Sequence, residues 1–186
     1  MKRVRLPPGQ YTVDKLPVLH AGGVPAISNE TWSLEVYGEV ENSVRYSYGD
    51  LLKLPKTEIV TDIHCITKWS KLGARWGGVR STDIFKVVKP TSRAHFAVFE
   101  SEGDWSTSLP VKDLEDEDAL IACEYEGRDL EIIHGGPVRT VVPKKYFYKS
   151  AKWLRGIKLT EHDELGFWER RGYSNTADPW TGDRFT

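Results

Sequence analysis

Apolar alternation in this chain comes only in short runs, and each run is stopped by glycine, proline or a charged turn. Residues 31–37 alternate cleanly, with Trp32, Leu34 and Val36 on one face, and predict a half-buried strand ended by Gly38. Residues 47–55 predict a short helix with Ser47 as N-cap, Asp50 in the first turn and Pro55 as the stop. Strands are predicted over 56–63, 94–100, 105–109, 139–142 and 153–159. A second helix spans 81–88, with a capped start and a stop at Pro90. Segment 113–118 reads as solvated and acidic, 119–125 as helix or strand, and Glu126-Gly-Arg-Asp129 as a turn. Short strands mixed irregularly with short helices argue for an α+β fold of mixed sheets rather than a doubly wound sheet.

The 186 residues fit one domain, 31–186, preceded by an extended arm, 1–30, rich in Pro and Gly. No repeat or low-complexity linker divides them. Lys plus Arg is 26 against 27 for Asp plus Glu, a net charge of −1. Nucleic-acid and membrane-surface binders carry a basic excess, so neither partner is expected. Ala119-Leu-Ile-Ala-Cys123 is among the longest apolar runs, so no transmembrane segment is predicted. The basic start is followed by no apolar signal region. The expected location is the cytoplasm, or the periplasm if a leader has been removed.

Two cysteines exclude four-Cys zinc and iron–sulfur sites, and neither belongs to a haem-attachment motif. Cys123 sits in an apolar segment and reads as core. Cys65 alone would read the same way, but His64 precedes it and Lys68, Trp69, Lys71, Arg75 and Trp76 follow. Nearby cations lower a thiol's pKa and favour the thiolate, which attacks carbon or binds a soft metal. A nucleophile reading pairs Cys65 with His64, His20 or His134 as base. A zinc reading lacks convergent ligands. The glycines give no dinucleotide or phosphate-loop pattern.

A second cluster runs from His134-Gly-Gly-Pro-Val-Arg139 to Lys152-Trp153. Its two glycines would let the backbone approach a ligand. Arg139, Lys144, Lys145, Lys149 and Lys152 place five cations within fourteen residues. The segment is either a solvated basic turn or a phosphate cradle with arginine as the bidentate partner. The interleaved Tyr and Trp suit a lined pocket.

Asp62-Ile-His-Cys65-x-x-Lys-Trp-Ser70, His134-Gly-Gly-Pro-Val-Arg-x-Val-Val-Pro143 and Tyr148-Lys-Ser-Ala-Lys-Trp-Leu154 together resemble the molybdopterin-binding oxidoreductase domain of the sulfite oxidase family. Gly166-Phe-Trp-Glu-Arg-Arg-Gly-Tyr173 is similar to that domain's closing segment. The resemblance implies molybdopterin as cofactor and Cys65 as the protein thiolate ligand to molybdenum, with His64 beside it among the cofactor contacts. His134 and Arg139 would hold the pterin and its phosphate, and Ser150, Ala151 and Lys152 would embrace it. His20 falls where the bacterial sulfoxide-reducing members contact the pterin, and Glu100 or Ser101 near a further contact. The Ala-Gly-Asn-Arg-Arg run of true sulfite oxidases is missing after Cys65. Lys68 or Arg75 would then stand in for the substrate arginine, with Tyr148 at the substrate mouth.

The implied reaction is oxygen-atom transfer to or from a small S-oxide, N-oxide or oxyanion, with electrons exchanged with an external partner such as a cytochrome, flavoprotein or quinone-linked subunit. Two other readings stay open: a non-catalytic pterin- or anion-binding module of the same fold, and a cysteine hydrolase using Cys65 and a histidine.

Overall fold

The alternating runs become strands of two sheets. The computed structural model describes residues 5–186, so the first four residues of the expected arm lie outside it. In chain order come β1 (Tyr11–Thr12), β2 (Ser33–Gly38), β3 (Val44–Ser47), α1 (Tyr48–Leu51), β4 (Lys56–His64), β5 (Trp69–Arg80) and α2 (Ser81–Val88). Then follow β6 (Phe96–Ser101), β7 (Ser106–Pro110), β8 (Leu120–Tyr125), β9 (Arg128–Asp129), β10 (Arg139–Val141) and β11 (Leu154–Thr160). The mixed α+β architecture is the one expected.

In the first sheet, β5 is the axis. β4 runs antiparallel along one edge, with Ser70 opposite His64 and Trp76 opposite Ile59. The other edge takes β1 at its Trp69 end and β8 at its Arg80 end, and β10 pairs with β8. The second sheet is ordered β3-β2-β11-β6-β7, with β2 and β11 parallel and the other pairs antiparallel. β8 is buried on both faces. Ile121 and Cys123 join the main core with Leu34, Val36, Phe99 and Ile157, while Leu120 and Ala122 join a second core with Ile63, Cys65 and Trp76. Strand alternation thus puts the two cysteines in different cores, Cys123 as packing and Cys65 beside a cavity.

Ser47 caps α1 as expected, its hydroxyl accepting from the Asp50 N–H at 3.2 Å while the Asp50 carboxylate accepts from the Ser47 N–H at 3.3 Å. The helix is a single turn, shorter than predicted. Ser81 is the first residue of α2 rather than its cap, because its hydroxyl donates to the Leu114 and Ala119 carbonyls. Residues 119–125 resolve into strand. Segment 113–118 is less solvated than expected, since Leu114 is buried and Asp113 and Asp116 receive Lys145 and Lys144. β5 was not predicted at all. Lys71, Gly73, Arg75 and the Gly77-Gly78 pair mask its alternation, yet Gly78 is required there: a Cβ would meet the Ile121 carbonyl oxygen at 2.2 Å.

Candidate functional site

The β4–β5 connection carries the thiol. The Cys65 N–H donates to the Trp69 carbonyl at 2.9 Å and the Lys68 N–H to the Cys65 carbonyl at 3.0 Å, with Lys68 in the left-handed region at φ 77°. Gln10 donates to the Cys65 carbonyl at 2.9 Å, and Arg184 to the Ile66 carbonyl at 2.6 Å. The Thr67 hydroxyl donates to the Cys65 sulfur at 3.2 Å. Burial pushes the thiol up, and the Thr67 hydroxyl and the Arg184 charge act against that shift.

Two sequence expectations fail here. Lys68 and Arg75 do not depress the thiol or line the cavity. Both are exposed: Lys68 sits in the turn before β5, and alternation along β5 buries Ala74 and Trp76 and turns Arg75 outward to Glu58, 3.8 Å away. His64 also faces away: its Nδ1 lies 2.8 Å from the Ser70 hydroxyl and its ring packs on Trp180. Burial pushes its pKa down.

Cys65, Thr67 and Trp69 open onto a cavity of about 530 Å³. Leu16 to Gly23 of the arm, the β6–β7 turn from Ser101 to Trp105, and Phe147, Tyr148, Trp153, Phe167, Trp168 and Tyr173 enclose it, together with His134, Arg139, Ser150 and Lys152. His20 lies on the exposed arm, with its Nδ1 2.9 Å from the Gly22 carbonyl and its ring 5.7 Å from that of Trp153. Ser101 lines the cavity, whereas Glu100 points off it and accepts from the Tyr37 hydroxyl at 3.1 Å. Tyr148 contributes its ring only, because its hydroxyl donates to the Ser174 carbonyl.

The five-cation run divides by partner. Lys144 and Lys145 pair with Asp116 and Asp113 at 2.7 and 3.1 Å. Lys149 is fully buried and donates to Glu169 at 2.5 Å, to the Ser108 carbonyl at 2.7 Å and to Asn175 at 2.9 Å. It is internal structure, fixing Tyr148 and Ser150 on either side. Lys149→Met strands the Glu169 carboxylate in the core and is expected to cost about 3–5 kcal/mol in chemical denaturation.

Arg139 and Lys152 are different. Arg139 is 1% exposed and among the described residues donates only to the His134, Ser150 and Thr140 carbonyls, at 2.6, 2.9 and 3.2 Å, against the Phe147 face. Lys152 donates to the Ile133 carbonyl at 2.8 Å. Among the described residues neither has a carboxylate partner. Desolvation pushes Arg139 down to about 9; desolvation, with the Arg139 charge adding to it, pushes Lys152 down to about 7. Two like charges on one wall, Arg139 buried and Lys152 half-buried, favour an anion between them. His134 Nδ1 and Ser101 Oγ are also buried without a hydrogen-bond partner among the described residues.

The remaining expected contacts are second-hand. Ser150 lines the cavity, but its hydroxyl accepts from the Val142 N–H at 3.0 Å. Ala151 does not reach the cavity, since its N–H goes to the Thr140 hydroxyl and its carbonyl accepts from the Thr140 N–H. Gly135 and Gly136 admit protein rather than ligand: a Cβ would meet the Lys152 side chain at 2.8 Å and the Leu130 carbonyl oxygen at 2.0 Å, respectively. Sequence reasoning missed Thr67, Trp69, Arg184 and the carboxylates Glu102 and Asp104. The last two were signalled by the Glu-Gly-Asp turn between two strands.

The comparisons agree with this geometry. Residues 21–168 match the family model described as the oxidoreductase molybdopterin binding domain. An uncharacterized oxidoreductase, YuiH, from Bacillus subtilis (strain 168) is 43% identical over 183 residues, which is 98% of this chain and 92% of that protein. A putative protein-methionine-sulfoxide reductase subunit, YedZ1, from Azospira oryzae is 27% identical over 81% of this chain, which spans 57% of it. The protein-methionine-sulfoxide reductase catalytic subunit MsrP from Campylobacter jejuni is 27% identical over 76%, and this chain spans 53% of it. The crystal structure of the sulfane dehydrogenase SoxCD from Paracoccus pantotrophus shares the fold, with a TM-score of 0.71 at 19% identity, over 82% of this chain and 43% of that one. With four-fifths of its length matched by the model and its cavity furnished with a thiol and two unpaired cations, the chain belongs to the molybdopterin-binding oxidoreductases of the sulfite oxidase family.

Proposed function

We propose that this chain is the catalytic part of an oxygen-atom transferase acting on a small S- or N-oxide, with Cys65 as the protein ligand to molybdenum. One observation carries the reading: a buried thiol, a buried arginine and a half-buried lysine open onto a single cavity, and among the described residues neither cation has a carboxylate partner. Molybdopterin fits that donor set. Arg139 and Lys152 would hold its phosphate, the unpartnered His134 Nδ1 and Ser101 Oγ would meet pterin heteroatoms, and His20 would close over it from the arm. Bound there, the cofactor supplies two-electron oxygen-atom chemistry at a soft, thiolate-ligated metal. The protein's own work is positioning. Thr67 donates to the Cys65 sulfur, and the aromatic wall of Trp105, Phe167, Trp168 and Tyr173 excludes water from the reacting centre.

The charge at the mouth narrows the substrate. Glu102 and Asp104 are exposed at the rim, and among the described residues the cavity's Lys and Arg are only Arg139 and Lys152, which face the phosphate task. With Lys68 and Arg75 turned away, an oxyanion meets carboxylates first, so a neutral S-oxide or N-oxide is the better fit. Neutralising the rim in a Glu102→Gln, Asp104→Asn variant is expected to raise kcat/KM for sulfite relative to dimethyl sulfoxide about tenfold at low ionic strength, and less at high salt. An unchanged ratio removes the rim from specificity.

Electrons would come from or go to a separate one-electron carrier, such as a cytochrome, flavoprotein or quinone-linked subunit. Two relatives are named as subunits, which supports a partner. No helix among the described residues is long and apolar enough to cross a membrane. We place the enzyme in the cytoplasm unless a leader precedes Met1. The hydrolase reading has no histidine hydrogen-bonded to its nucleophile, since among the described residues it is Thr67 that donates to the Cys65 sulfur and His64 is turned to Ser70. Protein made in a host that synthesises the cofactor should contain about one molybdenum per chain and turn over only with an added redox dye. A metal-free active protein, or turnover without any donor or acceptor, defeats the proposal.

A further inference from the structure

Arg184 lies beyond the last residue matched by the family model, in a tail that folds back onto the cavity wall. Tyr173 and Phe185 form an antiparallel bridge, and the Ser174 N–H donates to the Arg184 carbonyl at 3.0 Å. The Tyr173 ring is itself part of the wall, stacked on Trp168 at 4.8 Å. This fastening aims the guanidinium at the turn that carries the thiol. It donates to the Ile66 carbonyl at 2.6 Å and to the Pro8 carbonyl at 3.0 Å, and it lies 5.0 Å from the centre of the Tyr146 ring.

Any donor could satisfy a carbonyl. Arg184 does more, because it bridges the Cys65 turn to the N-terminal arm with both ends of one planar fork. It also brings a full charge without a carboxylate partner among the described residues; the neighbouring Asp183 is spent on the Ser174 hydroxyl. A thiolate bound to a metal concentrates electron density at sulfur. A fixed cation close by stabilises the electron-rich, reduced state of such a centre more than the oxidised one.

We propose that Arg184 is a positioning residue for Cys65: it clamps the Cys65 turn through the Ile66 carbonyl and supplies the positive charge that tunes the redox centre. The C-terminal tail is then part of the site. This rests on the proposed molybdenum ligation by Cys65.

The test uses full-length, cofactor-loaded protein as wild type, Arg184→Lys, Arg184→Met and Arg184→Gln. Gln keeps donors for the carbonyls without the charge and serves if the Met variant does not fold. Three quantities are read: molybdenum per chain, the midpoint potential by dye-mediated titration, and the paramagnetic spectrum of the metal. The Met and Gln variants should keep molybdenum while their midpoint potential moves negative and the spectrum changes. Lys should restore most of the potential. A loaded uncharged variant with an unshifted potential overturns the proposal, as does a Lys variant displaced as far as Met, which would leave only a mechanical clamp. Loaded wild type with either of those results defeats this inference alone, whereas molybdenum-free wild type defeats the functional reading and this inference with it.

Discussion

Cys65→Ser is expected to lower kcat by well over a hundredfold while the protein stays folded and retains pterin. Removing an outer partner of a metal ligand commonly costs about 10–100-fold, and losing the ligand itself must exceed that. Serine is close to isosteric, so the buried site is neither emptied nor overfilled, and the Thr67 hydroxyl keeps an oxygen to donate to in place of sulfur. A hard hydroxyl, however, is a poor match for a soft metal centre. The decisive comparison is kcat, molybdenum and pterin content, and thermal midpoint measured on one preparation. Activity retained within a few fold would show that Cys65 is not the ligand. Cys123→Ala is the control, since that side chain packs in the other core and its loss should touch stability without touching the metal.

Much of the scaffold could be read from local signals because those signals were local in cause. The Ser47–Asp50 capping box and the Leu34–Val36 alternation are decided within a few residues, and both appear in the structure. β5 could not be read, because its stability comes from pairing along both edges, and Gly77 and Gly78 are present for the approach of β8 rather than for any preference of their own. The site divides the same way. Cys65, His134, Arg139 and Lys152 were marked by residue type and family motif. Which of five clustered cations would be left without a carboxylate was not, since Asp113, Asp116 and Glu169 arrive from other elements. Lys68 and Arg75 are near Cys65 in sequence and directed elsewhere in space, while Arg184 is distant in sequence and acts on the turn itself. Proximity along a chain says little about charge at a sulfur atom once a turn and a strand intervene.

The two unpaired cations make the second large prediction, one with opposite signs for folding and binding. In cofactor-free protein Lys152 is held down to about 7 from 10.5 by desolvation and by Arg139. Between those values the unfolded chain carries the proton and the folded chain does not, so stability rises with pH from about 7 to 10.5. Lys152→Met removes that slope and is expected to leave the cofactor-free protein at least as stable at pH 7, because an uncompensated half-buried charge is replaced by an apolar side chain of similar length. Binding moves the other way. A charge-assisted hydrogen bond to phosphate is worth about 1.5–3 kcal/mol, so the same variant should retain the pterin about 10–100-fold less tightly, and Arg139→Met should lose at least as much. Arg139→Met also strands the His134 and Ser150 carbonyls, so it is Lys152 that separates the two effects cleanly. Denaturation of cofactor-free protein across pH 6 to 10, set beside pterin content after dialysis, reads both. A Lys152→Met protein that holds its pterin as firmly as wild type would remove Lys152 from the phosphate cradle and leave Arg139 to bind the anion alone, whereas one that keeps the wild-type slope would show that Lys152 is not the source of the pH dependence.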